Sequence, residues 1–394
     1  MANATLLSTP QTALGADEET LLRESVAGIA ACFGHEYFAR LNESDENATE
    51  LWDALAAGGY ASANIPEEYG GGGLGLRALA AVTEEVAAAG CPLIMLIISP
   101  AIVGSVLARH ADPEQKERWL RPIGEGTGKI AFAITEPGAG SNTHKTATVA
   151  RRDGDRYILN GSKTFISGVD EAGAMLVVAK TGTDERSGRG RLSLFVVDAE
   201  APGIERQRIP MTIEAPDKQF TIFFDDVEVE AGRLIGEEGR GLHAVFDGLN
   251  PERVVIAATS TGIGRYAVRK GVEYALERDV WGVPIGAHQG IAHPLAEAKI
   301  DLELARLAIE RAATLYDAGA DAGAASNMAK FAAADAAIDC LDKAIEIHGG
   351  SGFSREVGLG DMLGLARLFK TVPISREMVL NHVAEHTLGL PKSY

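Results

Sequence analysis

Cysteine is scarce in this 394-residue chain: only Cys32, Cys91 and Cys340 are present, too far apart for metal-ligand or redox spacing. That excludes a disulfide scaffold and a zinc module, and the expectation is a reducing, cytoplasmic setting. Aromatic residues make up 6% of the chain, and alanine is abundant, which suits helices packed by close backbone approach. Basic residues are outnumbered 37 to 55, for a formal net charge of −18. Such a surface repels nucleic acid and anionic membranes at long range, so neither is expected as a partner. The apolar run Pro92 to Ile98 falls well short of the roughly 20 residues a spanning helix needs, and reads as a buried helix. The first cation is Arg23, so the start of the chain lacks the basic region of a sorting signal.

What is present is a change of period along the chain. Residues to about Leu14 carry no periodicity and read as a loose arm. From Asp17 to about Gly128 the pattern is helical, with amphipathic runs at Glu18 to Phe38, Thr49 to Leu55 and Leu76 to Ala88, and an Asp112–Pro113 cap pair. Apolar residues then alternate in Ala174 to Ala179, Leu192 to Val197 and Phe220 to Val227, which is a strand pattern. From Arg240 the helical period returns in four long segments, broken near Trp281–Gly282, Asp317–Gly319 and His348–Gly350. We expect an α+β multidomain chain: an all-α domain over 1–128, a β domain over 129–236 and a helical domain over 237–394.

The stretch AFAITEPGAGSN, Ala131 to Asn142, starts as a strand and breaks into a turn rich in backbone N–H groups. In RYILNGSKTFISG, Arg156 to Gly168, Asn160–Gly161 predicts a type I′ hairpin turn between two strands. Together they bring the polar strand ends Thr135 to Ser141 and Lys163 to Ser167 near one site. Phe132 and Phe165 read locally as ordinary core. Glu252, in GLNPERVV, reads locally as a first-turn carboxylate after an Asn250 cap and Pro251.

On these stretches, and on ALERDVWGVPIGAHQ, EIHGGSGFSRE and IPEEYGGGGLG in the same order, the chain resembles the acyl-CoA dehydrogenase family over nearly its whole length. The resemblance implies a middle β-barrel and a C-terminal four-helix bundle. It implies FAD, an acyl-CoA substrate oxidised between its α and β carbons, an electron-transfer flavoprotein as acceptor, and a homodimer or homotetramer. It assigns Glu252 as the base, placed as in isovaleryl and long-chain members, since Pro373 stands where the others carry Glu, and it implies one helix from about Arg240 through this point, in which Pro251 frees the carbonyl of Asp247. Burial beside flavin is then expected to raise the pKa of Glu252.

The cofactor contacts it implies are Phe132, Ile134, Thr135, Gly140, Ser141, Phe165, Ile166 and Ser167 from the middle domain. Arg278, Trp281, Gln289, Glu346, Gly349, Gly350, Ser375 and Glu377 follow from the helical domain, the first three reaching a neighbouring subunit's FAD. Ser141, Leu249 and Arg253 are implied for substrate.

Three departures stand out. Gly364 and Leu365 replace an Arg–acid pair, Glu346 replaces Gln, and Pro373 has no N–H to polarise a thioester carbonyl, which a shift to Ile374 would restore. These departures motivate one alternative, a flavin-binding scaffold or partner subunit without desaturase activity; a second alternative is a CoA-thioester reductase or lyase on the same fold.

Three look-alike motifs are set aside. Gly262–Ala267 fits GxGxxA but lies within a helical stretch, so it reads as close helix packing. GEGTGKI lacks the closing residue of a phosphate loop. His382, Glu385 and His386 form HxxEH on the last helix, and no metal site is expected.

Overall fold

The computed structural model describes residues 15–392, so the expected N-terminal arm lies outside the described residues. The helices of the first third are α1 (Ala16–Ala31), α2 (Gly34–Ser44), α3 (Thr49–Ala57) and α4 (Gly75–Ala88). A π-helical stretch, Ile97–Gly104, then runs into α5 (Ser105–His110), followed by α6 (Pro113–Gln115) and α7 (Arg121–Gly124). The strands are β1 (Ile130–Ala133), β2 (Val149–Asp153), β3 (Arg156–Ser167), β4 (Ala174–Thr183), β5 (Gly190–Asp198), β6 (Ile204–Arg208), β7 (Gln219–Glu230) and β8 (Leu234–Ile235). Beyond them come α8 (Gly241–Glu277), the short pair β9 (Asp279–Val280) and β10 (Val283–Pro284), α9 (Gln289–Asp317), α10 (Gly323–His348), α11 (Leu359–Phe369) and α12 (Arg376–His382). The order helices, sheet, helices is the one the change of period predicts. Among the described residues, no helix is long and apolar enough to cross a membrane.

Two expected helices are divided. The run Glu18 to Phe38 turns at Cys32–Phe33, and Gly34, at φ +67°, begins α2. The last long segment is split between α11 and α12 by the residues around Pro373.

The chain packs as two compact units. Among the described residues, one holds those through Ser44, Gly72–Pro92 and those from Arg253 onward. Its centre is α4, in which every residue except Arg77 is buried. Asp317, closing α9, caps α4 by accepting from the N–H of Leu76 (2.7 Å) and Arg77 (3.0 Å). Gly262 explains how close α8 comes: a Cβ there would lie 2.3 Å from the carbonyl oxygen of Glu84. The GxGxxA look-alike is therefore a helix-packing surface, as expected. Glu84 and Glu85, both buried, are held by Arg23, Arg265 and Arg306 at 2.7–3.2 Å. Their charges are compensated where water is excluded.

The other unit holds Asp45–Gly71 and Leu93–Glu252. Its sheet has the order β6-β7-β3-β2-β4-β5-β8, with β1 parallel to β4 through Ile130↔Ala174. Strand alternation divides two cores. Leu176, Val178, Leu194 and Val196 pack with Val106, Leu107 and Leu120, whereas Tyr157, Leu159, Val177 and Phe195 form the opposite core. The apolar run from Pro92 is helical from Met95 and buried. Buried Asp217 caps it, accepting from the N–H groups of Ile94 (3.1 Å) and Met95 (3.0 Å). Asp112 caps α6 as expected, accepting from the Gln115 N–H at 2.8 Å.

The Asn160–Gly161 hairpin is not formed: β3 runs straight through both residues. The extra residue sits on the partner strand, where Asp226 has φ +48° and is held by the Asn160 amide in both directions, at 2.9 and 3.0 Å. The asparagine that signalled a turn instead pins a bulge. A two-residue turn with both φ values positive does occur at Trp281–Gly282, joining β9 and β10.

Candidate functional site

Strand β1 delivers Phe132 and Ile134, both half-buried, to the turn that follows. Thr135 is half-exposed and Gly140 and Ser141 are exposed, with Glu136 and Ala139 closing the turn through reciprocal backbone bonds of 3.1 Å. Strand β3 meets this turn directly, because the Thr164 N–H donates to the Thr135 carbonyl at 2.9 Å. The two polar strand ends are thus adjacent, as the sequence implied.

Phe165 is not core. Between Lys163 and Ile166, β3 uses one more residue than β7, and Phe165 takes φ +56° with its side chain 57% exposed. A bulky residue in the left-handed region is rare and costs conformational energy; here the bulge turns an aromatic ring outward from the sheet. Ile166 buries its side chain in the core, which leaves its backbone for any contact, and Ser167 Oγ donates to Gln219 at 2.9 Å. An exposed aromatic ring flanked by hydroxyl and backbone groups suits a planar, hydrogen-bonding ring system.

Beneath these groups lies a pair that the motif reading did not single out. Lys163, with none of its side chain exposed, donates to the Ile134 carbonyl (3.0 Å) and to Glu136 Oε1 (2.8 Å). Glu136 also accepts from the N–H groups of Ala147 (2.6 Å) and Thr148 (3.0 Å). Burial pulls the Lys163 ammonium down to about 8, against the opposing pull of Glu136. Burial pushes the Glu136 carboxyl up, but its hydrogen bonds and the Lys163 charge outweigh that and leave it below its ordinary value. The signal was in the alternation: Lys163 lies an even number of residues from Tyr157 and Leu159, which face inward.

α8 is continuous through Pro251, so Glu252 sits inside a helix and not in a capped first turn. Leu249 packs on the apolar core of the sheet unit, and Gly248 lets the helix approach the carbonyl of Ile102. One turn earlier, Asp247 accepts from His110 Nε2 (2.7 Å) and Arg109 (3.1 Å). Burial raises the Asp247 carboxyl, yet His110 and Arg109 outweigh it and hold it below the ordinary range. Glu252 is half-buried with Oε2 inaccessible to water, and Arg253 is buried.

The remaining candidates belong to the helical unit. Arg278, Gln289, Glu346, Gly349, Gly350 and Glu377 are exposed, and Trp281, at φ +59°, is 91% exposed. Gly349 has φ +58° with open space where a side chain would stand, next to His348, whose ring stacks on Tyr274 at 4.4 Å. A phosphate or a sugar can approach such a turn closely. Ser375 caps α12, accepting from the Met378 N–H at 3.3 Å.

The loop containing Pro373 is clasped by α10. Lys330, buried, donates to the Ile374 carbonyl at 2.8 Å. Asp335 holds Lys370 (2.7 Å) and Arg376 (3.1 Å), the residues on either side of the loop. The first backbone N–H after the proline belongs to Ile374.

Of the look-alikes, GEGTGKI runs directly into β1 and not into the helix that a phosphate loop opens, and its Lys129 is engaged by Glu171. No cluster of metal-ligating side chains exists among the described residues.

Comparison with known proteins agrees with this architecture. The chain matches the acyl-CoA dehydrogenase N-terminal domain over 16–127, the middle domain over 131–227 and the C-terminal domain over 239–388. It is 48% identical to the acyl-CoA dehydrogenase FadE12 of Mycobacterium tuberculosis, over 96% of this chain and 98% of that protein. It is 34% identical to the 3-(aryl)acrylate reductase of Clostridium sporogenes, over 80% and 84% of the two chains. Among solved structures, the FAD complex of PigA aligns with a TM-score of 0.88 at 26% identity, over 95% of this chain and 98% of that one. The chain belongs to the acyl-CoA dehydrogenase family, FAD-dependent oxidoreductases that act on acyl-CoA thioesters.

Proposed function

We propose that this protein desaturates an acyl-CoA thioester between its α and β carbons in the cytoplasm, with Glu252 as the base, and passes the electrons to an electron-transfer flavoprotein. The observation that carries this reading is the carboxylate of Glu252, set inside α8 with one oxygen shut off from water, while the α11–α12 loop offers proline in place of an acid. FAD supplies the acceptor for the hydride that leaves the β carbon. Glu252 takes the α proton. The Ile374 N–H polarises the thioester carbonyl, which makes that proton more acidic. Thr135, Ser141, Phe165 and Ser167 bind the flavin, assisted by Phe132, Ile134, Gly140 and the backbone of Ile166, while Leu249 and Arg253 face substrate. Arg278, Trp281 and Gln289 serve FAD across the interface of a homodimer or homotetramer, and Glu346, Gly349, Gly350, Ser375 and Glu377 complete the FAD contacts of the helical domain.

The test is an anaerobic titration of the yellow protein with short, branched and long acyl-CoAs, following flavin absorbance, beside Glu252→Gln. Bleaching by one class in the native protein, lost in the variant with FAD retained, is expected. Bleaching that survives in Glu252→Gln would remove Glu252 from the role of base. A second reading, reduction of the double bond of an unsaturated thioester, takes its direction of reaction from the likeness to the Clostridium acrylate reductase. It predicts saturated product when the reduced protein meets an enoyl-CoA in the absence of an oxidant.

A further inference from the structure

Burying an ion pair strips two charges of water, and their attraction does little more than offset that loss; apolar replacements of like volume are often neutral or stabilising. Lys163 and Glu136 are nevertheless buried together, with 0% and 4% of their side chains exposed. Their remaining bonds all go to backbone. The ammonium holds the Ile134 carbonyl, immediately before Thr135, and the carboxylate belongs to the residue immediately after it. The same carboxylate accepts from Ala147 and Thr148, where the chain re-enters the sheet after the exposed stretch from Pro137. The lysine itself lies two residues before Phe165, at the start of the bulge that turns that ring outward. One pair therefore fixes both ends of the connection from Thr135 to Thr148, which carries the Thr135–Ser141 turn, and ties it to the Phe165 bulge.

We infer that the buried Lys163–Glu136 pair is a positioning device, which sets the Thr135–Ser141 turn against the Phe165 bulge so that the flavin-contacting groups stand in place before FAD binds. The inference rests on the assignment of Thr135, Phe165 and Ser167 to the flavin made above. It adds two residues that touch no cofactor and act through those that do. Pre-set donors lower the ordering cost of binding, so losing the pair weakens FAD more than it weakens the fold.

The experiment compares full-length wild type with Lys163→Met, Glu136→Gln, the double variant and Thr135→Val. FAD dissociation constants come from equilibrium dialysis, the visible spectrum of bound flavin reports its surroundings, and urea unfolding reports the fold. Lys163→Met is expected to raise the dissociation constant about tenfold or more, the scale of one well-oriented hydrogen bond to a charged group. Glu136→Gln is expected to do the same, the double variant to be no weaker than the worse single one and the flavin spectrum to shift; the unfolding midpoint of the double variant stays close to wild type, while each single variant, with one charge left buried alone, unfolds at lower urea. Should Lys163→Met not fold, Glu136→Gln carries the test alone, since it keeps the side-chain shape and one acceptor.

Unchanged FAD affinity in the pair variants overturns the proposal. Thr135→Val then tells which premise failed: weakened binding there leaves the flavin site standing, and unchanged binding removes the site assignment as well. Weakened binding in Lys163→Met with unchanged binding in Thr135→Val also overturns it, because the pair would then act on the fold at large. Loss of FAD in these variants is independent of whether Glu252 is the base.

Discussion

Asp217 offers the sharpest test of the electrostatics. Its carboxylate is buried and accepts from the N–H groups of Ile94 and Met95, with Glu171 and Lys129 as the charged neighbours. Burial, reinforced by Glu171, raises it from the usual 3.8 to about 7, against the two backbone bonds and Lys129. A carboxyl raised in the folded state is protonated there while the unfolded chain has already lost its proton. Stability therefore falls as pH rises from about 4 to about 7, by roughly 1.4 kcal/mol per pH unit at most and by about 4 kcal/mol in all. Below that window both states are protonated and the loss vanishes. Asp217→Asn places a neutral acceptor at the same cap and removes the titration. Urea unfolding of both proteins at pH 5, 6 and 7 with saturating FAD should show the variant gaining on wild type as pH rises. Parallel curves for the two proteins across that range would refute the reasoning and mean that Asp217 is ionised in the native state throughout.

Glycine substitutions should move stability in opposite directions. Gly262→Ala places a Cβ 2.3 Å from the Glu84 carbonyl and 2.6 Å from Ala87 Cβ, so forcing α8 from α4 costs about 1–3 kcal/mol despite the better helix propensity of alanine. Gly28→Ala in α1 meets nothing within 4 Å and should gain about 0.5–1 kcal/mol; thermal midpoints of the two variants decide. Lys330→Met removes the donor to the Ile374 carbonyl. We expect kcat to fall about tenfold or more, with FAD content and KM little changed, if the loop is held for the transition state. A variant in which only KM rises would assign the loop to ground-state binding.

Much of this architecture was legible because period and punctuation agree. The return from alternation to a helical period near Arg240, and breaks such as Trp281–Gly282, mark real elements. The Asn160–Gly161 turn failed because a local dipeptide preference yielded to a bulge supplied by Asp226 on another strand, which no single-strand reading can see. Phe165 was misread as core for a related reason: an extra residue reverses the facing of a side chain, and alternation alone assumes that none is present. Lys163 was visible as a lysine on an inward-facing position, but its partner Glu136 could be named only once the turn and the strand were placed together. The clasp of Lys330 on Ile374 joins residues far apart in sequence and left no pattern to read.

The tip of the β9–β10 pair has a practical use. Of the three tryptophans, Trp52 and Trp119 are 3% and 7% exposed, while Trp281 is 91% exposed. Trp281 stands on a stiff two-residue turn, with the Gly282 N–H bonded to Asp279 at 2.9 Å. The red edge of the protein's intrinsic emission therefore comes from one known ring. Whatever covers that ring will shift the emission to the blue, and a small quencher added to the solution will reach it only while it is bare, so the chain carries its own optical probe of what settles on this face.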